Sequence, residues 1–322
     1  MLLISTHRFK DVDLGELARV TLEARRESVL RRGDVDLEEI EKELAGYADD
    51  HWAAILARLK ESGELRGWIS LCARFTGMLF SGSWNPIVLP SEDEDEVARA
   101  LIEEAKTYTR MIGRERLEFL LDKMTDEHRE LRQKYHDWYL AQGLYLVCEE
   151  DSIVAYVEPT GLPPIRFPTG FKTVPLPEVS NEDIRDSVFE TFLKSNIHLF
   201  LDVAPEQRVV TFDWWFDRSR HVDDEASLVL ERRGPVAGFV LIRHEDGETQ
   251  LGPFGVHPDF RGKGLGKALL AESFRVLAEK GVRSINVEVD SDNSRALKLY
   301  RMFGFQKLCT QAYYCWRTEQ GC

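Results

Sequence analysis

A glycine-rich turn between an extended apolar run and a helical pattern most constrains how this chain can fold. Glycines stand at 262, 264 and 266, after the extended run 250–257 and before the helical pattern that begins at Ala268. The first backbone N–H groups of a helix have no acceptor within that helix, and the helix dipole makes this end positive. Glycines also let another molecule approach the backbone closely. The turn therefore predicts a binding site for a phosphate-like anion.

Basic residues surround the glycines of this predicted anion site. Arg261, Lys263 and Lys267 add positive charge to the attraction of the backbone N–H groups. The candidate binding residues of the turn are Arg261, Gly262, Lys263, Gly264, Leu265, Gly266 and Lys267.

The elements after the turn matter because a glycine turn alone is weak evidence. Apolar residues on one face predict a helix that ends at Gly281, and alternation predicts a strand over 284–289. A capped helix is predicted from 292 to Gly304. The order is strand, turn, helix, strand, helix, strand, which indicates a fold of the α/β (α+β) class.

The motifs and their order resemble the GNAT N-acetyltransferase superfamily. The first motif is Arg-x-x-Gly-x-Gly at 261–266. The second motif is spread over 289–305 and consists of Val289, Asn293, Ala296, Leu299, Tyr300, Gly304 and Phe305. The resemblance implies a mixed, mostly antiparallel sheet flanked by helices, with acetyl-CoA as the cosubstrate.

The resemblance also implies roles for individual residues. The backbone N–H groups near Phe254 and Val256 would face the thioester carbonyl, and the Tyr300 phenol would protonate the departing thiolate. Packing in the core is the alternative role of Tyr300. Asn293 matches a cofactor-contacting position, and it is an equally good helix N-cap.

The general base is not fixed by the sequence. Strand alternation puts Asn286 and Glu288 on one face, so Glu288 is a candidate catalytic residue, as is Gln250. His257 is a weaker candidate. The aromatic run at 213–217 could bind a cationic or sugar acceptor, although core or interface packing is the simpler interpretation.

The first half of the chain repeats the landmarks of the second half. Val256, Pro258, Gly281, Tyr300 and Gly304 align with Val88, Pro90, Gly113, Tyr139 and Gly143. The glycine turn, however, aligns with the acidic run 93–98, which would repel a pyrophosphate. We therefore predict two tandem GNAT folds: a degenerate one at 1–160 and one that binds acetyl-CoA at 161–322, a division similar to that in tandem proteins of the mycothiol synthase type.

Further elements are predicted from local patterns. Helices are expected over 12–32, 37–47, 95–112, 126–141 and 181–194. Hairpins are expected at 53–76 and 226–244, and a third hairpin is expected to turn at 150–152. The proline-rich stretch 158–170 reads as a linker.

Composition limits the class of protein and its partners. The net charge of −14 disfavours a nucleic-acid partner, and no apolar run is long enough to span a membrane. Five cysteines without paired spacing argue against a disulfide framework or a metal site, and they favour the cytoplasm. We expect an acetyl-CoA-dependent N-acetyltransferase acting on a small-molecule or peptide amine. The alternative is a non-catalytic acyl-CoA sensor. The oligomeric state is not predicted.

Overall fold

The structure is a computed structural model, which divides into two compact units. It describes residues 1–27, 36–74, 77–158, 162, 165–195, 197–219, 222–232, 236–245 and 247–318, apart from the side chains of Asn181, Thr211, Trp214 and Trp215. Unit 1 comprises Met1–Cys148 and Thr310–Cys322, and unit 2 comprises Glu149–Cys309.

Unit 1 contains strands and helices. Its elements are β1 (Leu2–Arg8), α1 (Leu14–Glu27), α2 (Leu37–Ala45), β2 (Trp52–Leu59), β3 (Leu65–Cys72), β4 (Met78–Ser83), β5 (Ile87–Val88), α3 (Glu94–Met111), β6 (Arg116–Met124) and α4 (Arg129–Ala141). Strand β7 (Tyr145–Tyr156) follows.

Two cores sandwich the sheet of unit 1. The strands β1 to β4 pair antiparallel in sequence order, and β4 pairs parallel with β6. Helix α3 is amphipathic, and it buries Val97, Leu101 and Ala105 on one face of the sheet. Helices α1 and α2 bury apolar residues on the opposite face. Each face of the sheet is therefore sealed by apolar side chains.

Unit 2 follows a similar order. Its elements are β8 (Phe171–Pro175), α5 (Asn181–Leu193), α6 (His198–Asp202), α7 (Arg208–Trp215), β9 (Leu228–Arg232), β10 (Val236–Glu245), β11 (Glu248–Val256), α8 (Leu265–Glu279), β12 (Ser284–Asp290) and α9 (Ser294–Arg301). Strand β13 (Gln306–Arg317) follows, and its residues from Thr310 onward belong to unit 1.

The sheet of unit 2 also carries helices on both faces. The strands β8 to β11 pair antiparallel in sequence order, and β11 pairs parallel with β12. Helices α8 and α9 pack on one face with Leu269, Phe274 and Tyr300. A phenylalanine-rich core that includes Phe192 and Phe212 lies under α5 to α7 on the other face. The sequence predicted α5 and α8 closely, but it did not predict α6.

The last strand of each sheet comes from the other half of the repeat. In unit 1, the stretch 310–317 of β13 pairs antiparallel with β6. In unit 2, the stretch 150–156 of β7 pairs antiparallel with β12. The bounds of the compact units consequently differ from the predicted division after residue 160.

The hairpin predicted to turn at 150–152 is wrong, because β7 runs through these residues as one strand. Glu150, Asp151 and Ser152 lie opposite Asp290, Val289 and Glu288 in the register of β12. The Asp151 carboxylate accepts a hydrogen bond from the Ser291 hydroxyl at 2.7 Å and pairs with Lys307 at 2.7 Å. These partners satisfy the hydrogen-bonding groups of Asp151 within the strand. The tendency of residues 150–152 to form a turn therefore does not decide the structure.

No helix in the part of the chain that the structure describes is both long enough and apolar enough to cross a lipid bilayer.

A buried carboxylate ties the end of α8 to the loop before β9. Asp223 is 5% exposed and accepts hydrogen bonds from Lys280 at 2.8 Å, His244 at 2.9 Å and the Ala226 N–H at 3.0 Å. Burial by itself would raise the pKa of Asp223, but the bonds from Lys280 and His244 outweigh it and lower the pKa to about 2. The ionised form is therefore the one that the fold stabilises.

We expect Asp223→Asn to lower the free energy of unfolding by about 2 kcal/mol at neutral pH, since hydrogen bonds to charged groups contribute about this much. Because the folded pKa lies below the ordinary value, the stabilisation is present above about pH 4 and lost as the pH falls toward 2. Denaturant unfolding from pH 7 to pH 3 should show the difference from wild type shrinking. The exposed neighbour Asp224→Asn is the control. A pH-independent difference would contradict the assignment.

Candidate active site

The start of helix α8 presents a row of backbone donors. Gly262 and Gly264 adopt positive φ angles of 81° and 75°, and Gly264 is the N-cap without a side-chain cap. Among the described residues, the N–H groups from Gly262 to Lys267 donate to no protein acceptor. The first bonded N–H is that of Ala268, which donates to the Gly264 carbonyl at 3.1 Å. This arrangement can bind an anion such as a phosphate group.

The third glycine of the turn differs from the other two. A Cβ atom at Gly266 would lie 3.4 Å from the Phe254 ring, 3.5 Å from Val256 and 3.7 Å from Leu299, which are ordinary contact distances. Packing within the protein therefore does not require glycine at position 266. Of the three glycines in the turn, only Gly262 and Gly264 are held in a backbone conformation that favours glycine.

The Arg261 side chain is bonded to the protein. Its guanidinium donates to the Val256 carbonyl at 2.9 Å, the Lys194 carbonyl at 3.0 Å and the Ser195 hydroxyl at 2.8 Å. Burial, with a smaller contribution from nearby Arg295, lowers the pKa of Arg261. These bonds fix the turn against the end of α5, so the charged side chains left to face an anion are those of Lys263 and Lys267.

Strands β11 and β12 part beyond a single parallel pair. In the described chain they pair only at Gln250 and Asn286. The register between β11 and β10 shifts around Gly252 and Pro253, which marks a bulge in β11. Past these points a gap opens between the two strands.

Backbone N–H groups of β11 point into this gap. The His257 N–H donates to the Ala237 carbonyl of β10 at 2.9 Å. N–H groups alternate in direction along a strand, so those of Phe254 and Val256 point away from β10 and toward β12. These are the two N–H groups that, by the family resemblance, would stabilise an oxyanion.

The Tyr300 hydroxyl is placed differently from that of its repeat partner Tyr139. The Tyr300 ring packs 6.3 Å from Phe254 and 5.2 Å from Phe305, between ring centroids. Its hydroxyl has no hydrogen-bond partner among the described residues, and burial raises the pKa of the phenol. The Tyr139 hydroxyl instead donates to the Asn85 carbonyl. Tyr300 therefore keeps a protonated, unengaged donor next to β11.

Asn293 is the N-cap of helix α9. Its side-chain oxygen accepts from the Ala296 N–H at 3.1 Å. The capping role is therefore present, and it leaves the amide NH₂ of the side chain as the group that could contact a ligand.

The predicted alternation of β12 is confirmed. Ile285, Val287 and Val289 are buried against α8, and Asn286, Glu288 and Asp290 lie on the opposite face. Glu288 is exposed on that face. The Asn286 amide donates to the Glu248 carboxylate at 2.6 Å.

Two acidic residues and a histidine form a cluster that sequence reasoning missed. One side-chain ligand atom from each of His198, Asp290 and Asp292 lies within 4.8 Å of the others. The His198 Nε2 bonds the Asp292 carboxylate at 2.8 Å, which raises the pKa of the imidazole. Burial raises the pKa of Asp290 to about 6. Nothing in the sequence links Asp290 to a histidine 92 positions away.

The remaining candidates from the sequence, which are His257 and the run at 213–217, contact other parts of the protein. The His257 Nε2 bonds Glu190 at 3.1 Å, and Asp213 pairs with Arg185 at 2.9 Å. Phe216 lies in the phenylalanine-rich core. The side chains of Trp214 and Trp215 lie outside the described residues.

The acidic side chains at the equivalent helix start in unit 1 already have partners within the protein. Asp93 pairs with Arg66 at 3.1 Å, Glu94 pairs with Lys134, and Asp95 accepts from the Trp138 indole at 2.7 Å. The Ser91 hydroxyl and Arg66 hold the pKa of Asp93 below its usual value. Strands β4 and β6 also stay paired at four positions, from Met78–Arg116 to Ser83–Leu120.

The second half of the chain, which carries this candidate site, matches a known protein family in sequence. Residues 183–305 match a sequence model described as the Acetyltransferase (GNAT) family. This stretch is a GNAT acetyltransferase domain. It contains the glycine turn, the parting strands and Tyr300.

Similar proteins bear a more specific name. A mycothiol acetyltransferase of Clavibacter sepedonicus is 39% identical over 93 residues, which are 28% of this chain and 31% of that protein. A mycothiol acetyltransferase of Kytococcus sedentarius is 30% identical over 166 residues, 48% of this chain and 51% of that protein. The matches thus span at most about half the length of these relatives.

Solved structures share the fold of the whole chain. A GCN5-related N-acetyltransferase from Sphaerobacter thermophilus is 18% identical with a TM-score of 0.63, covering 98% of this chain and 95% of that one. A tandem GNAT protein of the clavulanic acid pathway is 16% identical with a TM-score of 0.58, covering 98% of each chain. The chain has the tandem GNAT fold.

Proposed function

We propose that this protein is an acetyl-CoA-dependent N-acetyltransferase with one active site, in unit 2. The observation that carries the proposal is the row of unbonded N–H groups at the start of α8, flanked by Lys263 and Lys267. These groups suit the pyrophosphate of acetyl-CoA. Leu265 and the glycines at 262, 264 and 266 would contribute backbone to this site, with Arg261 holding the turn in place.

The gap between β11 and β12 suits the transfer step. The N–H groups of Phe254 and Val256 would bond the oxyanion that forms as the amine attacks. The Tyr300 phenol would donate its proton to the departing sulfur. The proton acceptor for the amine would lie on the polar face of β12, where Glu288 is the candidate that strand alternation gives. Asn293 would contact the cosubstrate through its amide.

The first half of the chain, which we place at 1–160, would bind no acetyl-CoA. Carboxylates with their own cationic partners stand where the phosphates would lie, and the Tyr139 hydroxyl is engaged. Its roles would be to support the fold and to shape the surroundings of the acceptor.

The acceptor would be an amine of a small molecule or a peptide. Because several similar proteins are named mycothiol acetyltransferases, an amine precursor of mycothiol is the first acceptor to test. The negative net charge and the acids on β12 agree with a cationic acceptor and not with a nucleic acid.

An acyl-CoA sensor would use the same anion site without turnover. Release of free thiol from acetyl-CoA in the presence of glucosamine, putrescine, glycylglycine or the mycothiol precursor separates the two functions. The unengaged Tyr300 hydroxyl favours the enzyme, since a sensor has no need of a proton donor at this position.

We expect Tyr300→Phe to reduce kcat by about 10²-fold, the usual contribution of a general acid. The affinity for acetyl-CoA and the melting temperature should stay near wild type, because the ring still fills its place beside Phe254. Thiol release, calorimetry and thermal unfolding measure the three quantities.

Tyr139→Phe is the matched control in unit 1. It removes one buried hydrogen bond, worth about 1 kcal/mol of stability, and should leave kcat unchanged. Equal effects of the two substitutions on kcat, or a Tyr300→Phe variant as fast as wild type, would assign Tyr300 a packing role only.

A further inference from the structure

The proton acceptor of the transfer step has to meet a geometric condition. The amine attacks the thioester carbon from one side, and the leaving sulfur takes its proton elsewhere, so base and acid belong on different sides of the reacting carbon. Tyr300 lies with α8 and α9 on one face of the sheet. The side chains of Glu288 and Asp290 lie on the other face of β12.

The register of the parting strands distinguishes Asp290 from its neighbours. Gln250 and Asn286 are paired. Asp290 lies four residues beyond Asn286, and Phe254 lies four residues beyond Gln250. The bulge at Gly252 and Pro253, however, adds one residue to β11 between these two positions. Asp290 therefore stands between the levels of the Phe254 and Val256 N–H groups across the gap, whereas Glu288 lies before Phe254, toward the paired end. This level is the one at which the oxyanion, and hence the attacked carbon, would lie.

The surroundings of Asp290 suit a proton acceptor. The carboxyl group is 4% exposed, and the His198 N–H donates to its Oδ1 at 3.4 Å. The charged groups around it are His198 on α6, Asp292 on the following turn, Glu150 opposite on β7, and Glu288 on the same strand. The His198 imidazole is held by Asp292 at 2.8 Å.

We propose that Asp290 is the general base that takes the proton of the acceptor amine, and that His198 and Asp292 are its positioning residues. The inference rests on the proposed function of unit 2. In the step, the nitrogen lone pair forms the N–C bond and the nitrogen proton moves to the Asp290 carboxylate. The C–S electron pair leaves with sulfur, which takes the Tyr300 proton. Solvent then deprotonates Asp290 and reprotonates Tyr300.

The acid–base properties of the site agree with this role. The raised pKa of Asp290, about 6, leaves it ionised at neutral pH and a stronger base than an exposed aspartate. The nearby His198 lowers this pKa, although less than burial raises it. Removing the imidazole should therefore move the pKa of Asp290 upward.

The test compares Asp290→Asn with Glu288→Gln in the full chain, using acetyl-CoA and whichever amine of the proposed panel the wild type acetylates best. We expect kcat/KM of Asp290→Asn at pH 7 to fall about 10²-fold and to lose the limb that titrates near pH 6. Glu288→Gln should change kcat/KM only a few-fold. Calorimetric affinity for acetyl-CoA and the melting temperature should be unchanged in both variants.

Two further variants keep the result interpretable. His198→Gln should shift the acidic limb of the kcat/KM profile to higher pH, a change that a purely structural contact would not cause. Glu279→Gln, at the exposed far end of α8, controls for the loss of one carboxylate.

The outcomes separate this assignment from the proposed function. An active wild type with an equally active Asp290→Asn variant would overturn the assignment alone, as would a larger loss in Glu288→Gln. Loss of activity after chelation of divalent metals, restored by adding them back, would assign the cluster to a cation and overturn the base. A wild type that binds acetyl-CoA but acetylates no amine would overturn the proposed function and this assignment together.

Discussion

Replacing Gly264 with aspartate is expected to weaken acetyl-CoA binding by about 10³-fold. The new carboxylate would stand among the unbonded N–H groups at the start of α8, where it would occupy donors and repel the pyrophosphate. Two like charges about 4 Å apart near a protein surface interact by about 4 kcal/mol, which corresponds to this factor. Isothermal calorimetry with acetyl-CoA measures the loss.

Gly264→Asn is the matched control for this substitution. Asparagine has nearly the shape of aspartate and tolerates the positive φ of 75° at this position better than most residues. It should therefore retain most of the affinity that aspartate removes. Equal losses in the two variants would mean that backbone strain, and not charge, explains the effect. Wild-type affinity in Gly264→Asp would mean that the turn is not the phosphate site.

Calorimetry on the wild type also tests how many sites the chain has. We expect one acetyl-CoA per chain, because the acids at the start of α3 already have partners in Arg66, Lys134 and Trp138. Two equivalent sites per chain would contradict the proposal that the first half binds no cosubstrate.

Deleting residues 310–322 is expected to abolish the cooperative unfolding of unit 1. This segment supplies the strand that pairs with β6, and it buries Ala312, Tyr314 and Cys315 almost completely. Loss of one large buried aromatic side chain costs about 3–5 kcal/mol. The total stability of a domain is about 5–15 kcal/mol, so losing the whole strand as well should leave unit 1 largely unfolded. Limited proteolysis with mass spectrometry would detect cleavage within 1–148.

Two point variants separate the strand from its side chains. Tyr314→Ala should destabilise unit 1 by about 3–5 kcal/mol, since it leaves a cavity beside Tyr139. Tyr314→Phe keeps the ring and removes only the hydroxyl that bonds His136 at 2.8 Å, so it should cost about 1 kcal/mol. If the chain without residues 310–322 resisted protease as well as the full chain, the folding of unit 1 would not depend on β13.

Local patterns predicted most of the elements because their causes are local. The α3 and α8 helices begin and end close to the predicted residues, since amphipathic spacing and the terminal glycines act over a few residues. The alternation of β12 was also predicted, because side chains of a strand necessarily alternate between faces. The candidate binding residues 261–267 could also be recognised from the sequence, because they are adjacent in the chain.

Residues that depend on distant partners were not predicted. The polar trio at 150–152 looks like a turn, but it continues β7 because β12 supplies its backbone partners. Arg261 looks like an anion ligand, but its guanidinium bonds the carbonyls of Val256 and Lys194. Asp290 carries no motif, and its burial and its neighbour His198 appear only once α6 packs over the sheet.

The tandem α/β fold, the glycine turn and the loss of that turn in the first half could all be predicted from the amino-acid sequence. Each of these features depends on the backbone conformation, the charge or the hydrophobic periodicity of residues that are close together in the chain. The folded structure was needed to show which strand completes each sheet, which tyrosine keeps an unengaged hydroxyl, and which carboxylate is buried level with the N–H groups of β11. Those features depend on pairing register and desolvation between segments far apart in sequence, and local residue patterns do not encode either.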